Sequence, residues 1–589
     1  MLKLFVLLVL AALVSSAIAQ APRRRGRGSN HMNPLAPRRG NSRSGRGRDR
    51  GRGNGRGRGN RRGRGNRARG DEGGDVSPEC AAITIRTITG RCTSEVDPTL
   101  GEARRPQFSY LGVSNEEPED AGLQSARAIS NIVSDQGGRT SNSQGLNEMF
   151  TYFGQFIDHD FALSPFSDPE ESFEIEVPED DPELSVRFLE FVRSQRAQVS
   201  TSSPVVRPIT ILTSALDLSN VYGSNEDLNE FLRVPNSCLL KTSGDNLLPL
   251  NTAGFVNAPS TSANLFIAGD PRANETPMLT AMHTIWLREH NRICGLLEES
   301  FSEFSPEQQY ETARAINIAE YQRIIYEEWL PAILGRERLP SYRGYNPSVN
   351  PTISLEFTTA GFRLGHTLVS EDVPRVDNNG RALRSIPAED MFFLPSSEIS
   401  SDEIENVLRA ASVTRAQEFD EKVVDTLRNF LFENVEEEEG FDLVALNLQR
   451  SRDHNVPKFN ELRRFFLGSP ARSFRDISSD PTTAANLEEA YGDVDNVEAW
   501  IGLVAEDKNR GVGVGRTLAE LLKVEFGRLR DGDRFFYERR NQIPSEVLQE
   551  LSDVERDIFG NRPLFNSIIL RTTSIASRNL NDRRSAFRT

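Results

Sequence analysis

The stretch from Met278 to Leu297 places its apolar side chains on one face of a helix. These apolar residues follow helical spacing, at Met278, Met282, Ile285, Trp286, Ile293 and Leu297. Ala313 to Leu330 and Ala519 to Leu529 repeat this pattern, whereas the strict alternation typical of strands is scarce. We find no internal repeat after Cys80. The sequence therefore predicts an all-α, mainly helical single domain over residues 77–589, with little β structure.

The first 19 residues have the pattern of a secretory signal peptide. Lys3 precedes an apolar run from Leu4 to Val14, and Ala17-Ile18-Ala19 matches the small-x-small cleavage pattern. The run is too short to span a bilayer, and no later apolar stretch reaches the roughly 18 residues that a span requires. We therefore expect a secreted, extracellular protein without a transmembrane segment.

A basic, low-complexity segment follows the signal peptide. Arg23 to Arg69 contains 18 arginines and one acid, Asp49, so the remainder of a chain whose net charge is -15 is strongly acidic. Such a segment has little to bury, and we expect residues 20–76 to be a disordered tail or a propeptide. Export disfavours nucleic acid as its partner. Proteolytic removal and binding to anionic matrix or cell surfaces both remain open.

Arg69-Gly70-Asp71 at the end of this segment would be an integrin ligand if it were exposed. Because Arg-Gly recurs throughout the tail, a chance meeting with one aspartate is the simpler interpretation.

Four cysteines in an exported chain favour two disulfides. Cys80 and Cys92 bracket a short loop, which favours that pair and leaves Cys238 with Cys294. A zinc site is the alternative, but no CxxC spacing supports it.

The segment "FGQFIDHD", Phe153 to Asp160, concentrates polar chemistry among phenylalanines. In a helix, Gln155, Asp158 and His159 share a face, while Asp160 points about 100° away. A lone histidine on such a face is more often a packed core residue. The flanking carboxylates, and an amide one turn earlier, favour a chemical role.

Three further stretches contain polar residues in apolar surroundings: "GDPRANE" from Gly269, "FRLGHTLV" from Phe362 and "LNLQRSRDH" from Leu446. Their candidate residues are Arg272, Glu275, Arg363, His366, Asn447 and Arg450. Alone, the first stretch is an ordinary helix start with a solvated ion pair. His283 and His290 are seven residues apart on one helix face, where packed histidines are more frequent than a metal pair.

Together and in this order, the four stretches resemble the animal haem peroxidase family. The resemblance runs from "RTITGRC" at Arg86 through "LRDGDRFFYE", Leu529 to Glu538, into the C-terminal region. It implies a helical fold with haem between helices. It also implies a haem-dependent peroxidase (EC 1.11.1 class) that reduces hydrogen peroxide and oxidises a small donor, such as halide, thiocyanate, phenol or tyrosine.

The resemblance implies a role for each candidate residue. His159 is similar to the distal base, Arg272 to the arginine that stabilises developing negative charge, and Gln155 to the glutamine that orders water and halide. His366 is similar to the proximal iron ligand, and Asn447 to the amide that accepts the other N–H of that imidazole. The remaining similarities are haem carboxylate contacts at Arg363 and Arg450, and ester links to haem b at Asp158 and Glu275.

Two further implications concern Thr276 and a cation. Thr276 stands where one family member has a methionine bonded to haem through sulfur, so that link should be absent. Asp160 is similar to a calcium ligand, with partners in "TSALDLS": Thr213, the Ala215 carbonyl, Asp217 and Ser219. Oxygen atoms at every second residue suit Ca²⁺ better than zinc or magnesium.

Two alternatives to the peroxidase hypothesis remain. An extracellular adhesion or matrix-binding protein would use the body as a scaffold and its Arg-Gly-Asp-containing tail for binding, and a fatty-acid dioxygenase would use haem differently. The complete set of Gln155, His159, Arg272, His366 and Asn447 favours the peroxidase, because a scaffold alone would not need all five.

Overall fold

A computed structural model describes residues 76–115, 122–432, 440–580 and 584–589. The expected signal peptide at residues 1–19, nearly all of the tail at residues 20–76, and Arg69-Gly70-Asp71 lie outside the described residues. The predicted domain boundary at residue 77 therefore stays a prediction. Among the described residues, no helix combines the length and apolar character needed to cross a membrane.

Helices dominate the described residues, as predicted. Those of eight or more residues are α1 (Ala126–Val133), α2 (Glu148–Phe161), α3 (Pro277–Ser300), α4 (Pro306–Ile324), α5 (Ser401–Val413), α6 (Leu443–Asp453), α7 (Phe459–Leu467), α8 (Pro481–Tyr491), α9 (Arg516–Asp531), α10 (Ser552–Phe559) and α11 (Phe565–Thr572). Shorter α-helices are Pro78–Ala81, Ser219–Tyr222, Glu226–Leu232, Leu330–Leu334, Leu355–Thr359, Ala388–Met391, Asp425–Arg428, Ala499–Ala505 and Ser545–Glu550. The 3₁₀ turns are Gly244–Asn246, Gly361–Thr367, Ser396–Glu398, Phe474–Asp476, Val494–Asn496 and Tyr537–Arg539, and Ile325–Trp329 is a π-helical turn.

The β structure is limited to short antiparallel pairings. The strands are β1 (Arg105–Pro106), β2 (Ser172–Glu176), β3 (Phe188–Val192), β4 (Arg196–Gln198), β5 (Val206–Thr210), β6 (Asp372–Val373) and β7 (Ile386–Pro387). Strand β5 lies between β1 and β4, β2 pairs with β3 in a register that places Ile175 opposite Leu189, and β6 pairs with β7.

The helices α2 and α3 begin at side-chain caps. Asn147 accepts a hydrogen bond from the Phe150 amide at 3.1 Å, and Thr276 accepts one from the Leu279 amide at 3.2 Å. Pro277 occupies the first turn of α3, where its missing N–H costs nothing. Helix α3 packs against α2, α4, α5 and α11, so it lies at the centre of the fold.

The aromatic residues of α2 fix its orientation in the core. Phe150 stacks on Trp329 with ring centroids 4.8 Å apart, and Phe153 packs on Phe565 at 4.6 Å. Gly154 allows the close approach of Trp329, because a Cβ at this position would lie 3.1 Å from the indole ring. Because these aromatic residues occupy the packed faces of α2, Gln155 and its polar neighbours lie on a different face of the helix.

Both predicted disulfides are confirmed. Cys80–Cys92 closes a short N-terminal loop, and Cys238–Cys294 ties the segment ahead of α3 to α3 itself.

The histidines on α3 are packed, as the sequence favoured. Both His283 and His290 are fully buried, and the His290 ring nitrogens lie 2.9 Å from the Tyr222 hydroxyl and 2.8 Å from the Cys238 carbonyl oxygen. A metal pair is therefore not formed here. Asn274, in the sequence's Asn-Glu-Thr sequon, is 3% exposed and so inaccessible to glycosylation in the folded protein.

Candidate active site

A cavity of about 400 Å³ lies between α2, the turn that precedes α3, the 3₁₀ turn Gly361–Thr367 and α6. This volume is typical of small-molecule and cofactor sites. Residues from separate parts of the sequence meet in its wall: Gln155, Asp158, His159, Arg272, Glu275, Arg363, His366 and Arg450. All four stretches identified in the sequence therefore contribute to one cavity.

His159 is an enclosed imidazole on α2. It is 3% exposed, and its Nδ1 lies 3.7 Å from Asp270 Oδ1, which leaves Nε2 for the cavity. Burial, reinforced by the positive charge of Arg272, lowers the pKa of His159 well below its ordinary value. The ring is therefore neutral at physiological pH and is free to accept a proton.

Arg272 is held by a carboxylate that sequence reasoning missed. Asp270 Oδ1 accepts hydrogen bonds from the Arg272 amide at 2.8 Å and from Nε at 2.9 Å, while Oδ2 accepts one from Nη2 at 2.8 Å. The remaining terminal nitrogen, Nη1, lies 3.8 Å from Asp158 Oδ2. The quoted stretch from Gly269 contained Asp270, but nothing in the sequence distinguished it from an ordinary capping residue.

Two carboxyl groups line the cavity beside Arg272. Glu275 Oε1 accepts a hydrogen bond from Gln155 Nε2 at 2.8 Å, and burial raises the pKa of Glu275 to about 7. Asp158 keeps 27% of its side chain exposed to the cavity, and enclosure raises its pKa to about 6. Both groups remain partly protonated near neutral pH, despite the nearby guanidinium.

His366 lies on the 3₁₀ turn Gly361–Thr367 and contacts α6. Burial, and then Arg363, lower the pKa of His366 to about 3, so the ring is neutral near physiological pH. Asn447 Nδ2 lies 2.8 Å from His366 Nδ1 and donates to it, while Asn447 Oδ1 accepts from Arg363. The expected pair is present, with the amide oxygen on Arg363, which has only donors. Ligation of iron through His366 Nε2 requires the opposite amide orientation, in which Asn447 Oδ1 accepts from Nδ1–H.

Arg363 and Arg450 place two half-buried guanidinium groups in the same cavity lining. Arg450 donates to Ser194 at 2.8 Å and to Asp453 at 3.0 Å. No carboxylate of the described residues lies within ion-pair distance of Arg363, and burial together with Arg450 lowers its pKa to about 10. Such a pair favours an anionic group in the cavity.

Asp160 faces away from the cavity and contacts the segment expected to share its cation. Its carboxylate accepts hydrogen bonds from the Leu218 amide at 3.1 Å and from the Ser219 amide at 2.5 Å. Thr213 donates to Asp217 Oδ1 at 2.8 Å, and Asp217 Oδ2 has no hydrogen-bond partner among the described residues. Burial, and then Asp217, raise the pKa of Asp160 well above its ordinary value. Among the described residues no cation lies within ion-pair distance of either carboxylate, and Arg86 and Arg314 act on Asp217 only from farther away.

The backbone between these carboxylates is strained. Leu218 has φ of 57°, in the left-handed region that a bulky residue rarely adopts. Leu218 lies between Asp217 and Ser219, and the Ser219 hydroxyl donates to Asp160 Oδ1 on α2 at 2.8 Å. Strain of this kind persists where surrounding contacts determine the conformation.

Residues 85–559 match the family model described as animal haem peroxidase. The chain belongs to the animal haem peroxidase family. Among curated relatives, peroxinectin A of Dictyostelium discoideum is 33% identical over 522 residues, which cover 83% of this chain and 93% of that protein. Human eosinophil peroxidase is 34% identical over 526 residues, covering 80% of this chain and 73% of that protein.

A solved structure of another family member has the same fold. Peroxidase A from Dictyostelium discoideum matches with a TM-score of 0.75 and 29% identity, covering 86% of this chain and all of that chain. As a member of this family, the protein is a haem-dependent peroxidase.

The cavity residues fit the haem that this family binds. His366 supplies a neutral imidazole, and Arg363 supplies a half-buried cation suited to a haem carboxylate. A Cβ at Gly365 would meet nothing within 4 Å, so the backbone beside His366 opens directly into the cavity. Asp158 and Glu275 add carboxyl groups to the same cavity lining, from α2 and from the turn before α3.

Proposed function

We propose that this peroxidase reduces hydrogen peroxide with His159 and Arg272, and holds its haem through His366 on the opposite wall of the cavity. The observation that supports this most directly is the pairing of a neutral, enclosed His159 with a guanidinium fixed by two hydrogen bonds to Asp270. A base and a fixed positive charge are the two groups that heterolysis of an O–O bond requires.

In the proposed mechanism, His159 Nε2 accepts a proton from one peroxide oxygen and returns it to the departing oxygen. Arg272 stabilises the negative charge on that departing oxygen, because its guanidinium cannot lose its proton and cannot rotate freely. Gln155, held by Glu275, orders water beside them. Bound haem would supply the iron that coordinates peroxide and the electrons that reduce it.

We also propose covalent attachment of haem b through ester links from Asp158 and Glu275. Each link would replace a C–H bond of a haem methyl group by a C–O bond, and hydrogen peroxide would take up the two electrons and the protons as it is reduced to water. Both carboxyl groups lie in the cavity wall and are partly protonated near neutral pH, as their raised pKa values indicate. The hydroxyl of Thr276 caps α3 through Leu279, so this position offers no sulfur for a third link.

For the cation, we propose Ca²⁺ bound by Asp160, Thr213, the Ala215 carbonyl, Asp217 and Ser219. Two fully enclosed carboxylates without an adjacent cation, and neutral oxygens in the same loop, support this assignment. Oxygen ligands from a flexible loop suit Ca²⁺.

The proposed reaction takes place outside the cell, with a small donor such as halide, thiocyanate, phenol or tyrosine. Export is supported by the signal-like N-terminus and by two disulfides. Attachment to anionic matrix or cell surface through the basic tail is part of the same proposal. Adhesion as the sole function lacks support from the described residues, because it does not account for the intact cavity.

The test is an absorption spectrum and a peroxide-dependent oxidation assay on purified protein. We expect a Soret band in the wild type and its loss in His366→Ala, while His159→Ala binds haem but reacts with peroxide about 10²- to 10⁴-fold more slowly. His290→Ala is the matched control, since it removes a buried histidine outside the cavity and should retain the band. A wild-type protein without a Soret band would refute the proposal.

A further inference from the structure

The Asp270 carboxylate connects the two groups to which the proposed function assigns peroxide chemistry. It is fully buried and accepts three hydrogen bonds from Arg272, two from its guanidinium and one from its backbone amide. Each oxygen of the carboxylate is thereby committed, and the guanidinium cannot turn without breaking two hydrogen bonds.

The other side of Asp270 faces His159. Asp270 Oδ1 lies 3.7 Å from His159 Nδ1, a nitrogen that has no hydrogen-bond partner among the described residues. This separation exceeds a hydrogen bond, and catalytic contacts of this type often tighten when ligand binds. A carboxylate beside Nδ1 favours the tautomer that carries its proton there, which leaves Nε2 as the acceptor facing the cavity.

The backbone fixes Asp270 relative to α2 through Asn220. The Asp270 amide donates to the Asn220 carbonyl oxygen at 3.1 Å, and Asn220 Nδ2 donates to the Phe156 carbonyl oxygen of α2 at 2.7 Å. Gly269 makes the approach possible, because a Cβ there would lie 2.2 Å from the Ser219 carbonyl oxygen. Asp270 therefore has one position relative to the helix that carries His159.

We propose that Asp270 is a positioning residue for the peroxide reaction, which aims the Arg272 guanidinium into the cavity and sets the orientation of the His159 ring. The inference rests on the proposed function of Arg272 and His159. Asparagine cannot replace the carboxylate, because its amide nitrogen would face the donor Arg272 Nη2 or would present a donor to His159. Charge and geometry are both required, although Asp270 itself does not reach the cavity.

The test compares Asp270→Asn with Asp181→Asn. Asp181 makes an equivalent pair elsewhere, accepting hydrogen bonds from Arg127 Nε at 2.7 Å and Nη2 at 2.9 Å, and it does not line the cavity. We expect both variants to bind haem. Asp270→Asn should lower the second-order rate constants for peroxide reaction and for cyanide binding by about 10- to 100-fold, whereas Asp181→Asn should not. Cyanide binding is informative because hydrogen cyanide gives its proton to the same base without turnover.

A second variant separates positioning from folding. The double variant Asp270→Asn/Arg272→Gln removes both buried charges together. The fold-decrease in its rate constant for peroxide should be smaller than the product of the fold-decreases in the two single variants. A wild-type rate constant in Asp270→Asn, an equal loss in Asp181→Asn, or independent effects in the double variant would overturn the inference. A wild-type protein that itself fails to react with peroxide would instead refute the proposed function.

Discussion

At the scale of single residues, enclosure in the cavity wall controls the protonation of the site. The same burial that keeps His159 and His366 neutral also keeps Asp158 and Glu275 partly protonated, because a low-dielectric environment disfavours every charged form. Arg272 opposes this effect at the carboxyl groups but does not overcome it.

The raised pKa of Glu275 predicts a pH-dependent stability difference. Its pKa is about 7 in the folded protein against an ordinary value of 4.5, so the folded state holds the proton more tightly. The corresponding stabilisation is complete below pH 4.5 and is lost as pH rises through about 7. Glu275→Gln lacks this loss, so its stability relative to wild type should rise between these pH values. Chemical unfolding of the haem-free proteins measures the free energy of unfolding at each pH. A difference between variant and wild type that does not change with pH would contradict the prediction.

The proposed ester links predict resistance to haem extraction. Acid-acetone should leave haem attached to the mature wild-type protein, since covalent bonds do not depend on the native fold. Single variants Asp158→Asn and Glu275→Gln should each keep one link, and the double variant should release its haem. Asp181→Asn is the control that should retain it. Easy extraction from fully matured wild type would contradict the roles of both carboxyl groups.

At the scale of secondary structure, α2 serves two sites on different faces. Its cavity face carries Gln155, Asp158 and His159, while Asp160 near its C-terminal end contacts the segment that contains Asp217. Aromatic packing of Phe150 and Phe153 prevents the helix from rotating between these roles. The two sites therefore share one rigid support.

The proposed cation site predicts that calcium stabilises the end of α2. Removal of Ca²⁺ by a chelator should lower the melting temperature of the wild-type protein, because it leaves Asp160 and Asp217 buried without a cation in direct contact. Asp160→Asn should be insensitive to both chelator and added Ca²⁺. Asp181→Asn should respond as the wild type does. Differential scanning fluorimetry measures these melting temperatures. Equal responses to calcium in Asp160→Asn and wild type would refute the assignment.

At the scale of the whole molecule, the proposed catalytic groups all come from the helical body. These groups all lie between Gln155 and Arg450 in the sequence, so the basic N-terminal segment supplies none of them. The proposed role of that basic segment is therefore attachment to anionic surfaces rather than the peroxide reaction.

A protein that begins at Ser77 should therefore keep its haem and its rate constant for peroxide within about twofold. It should elute from an anionic polysaccharide column at much lower salt than a protein that retains residues 20–76, because the arginines carry the electrostatic attraction. Loss of haem binding on truncation would contradict the predicted domain boundary, and unchanged elution would contradict matrix attachment.

Much of the fold was predictable because helical periodicity is a local property. The pattern from Met278 to Leu297 lies within α3, and the pattern from Ala519 to Leu529 lies within α9. The disulfides also followed from cysteine number and spacing. The predicted helical pattern from Ala313 to Leu330 spans α4 and the turn that follows it, but local periodicity did not reveal that Ile325–Trp329 is π-helical.

The sequence by itself determined the helical class, the disulfide pairs and the residue types of the candidate site, because periodicity, composition and short motifs are local. Only the tertiary structure decided that Asp270 anchors Arg272 and faces His159, and that the Asn447 amide turns its oxygen to Arg363. It also decided that Glu275 is enclosed enough to hold its proton. These properties depend on distances between distant segments and on exclusion of water, which exist only after the chain has folded.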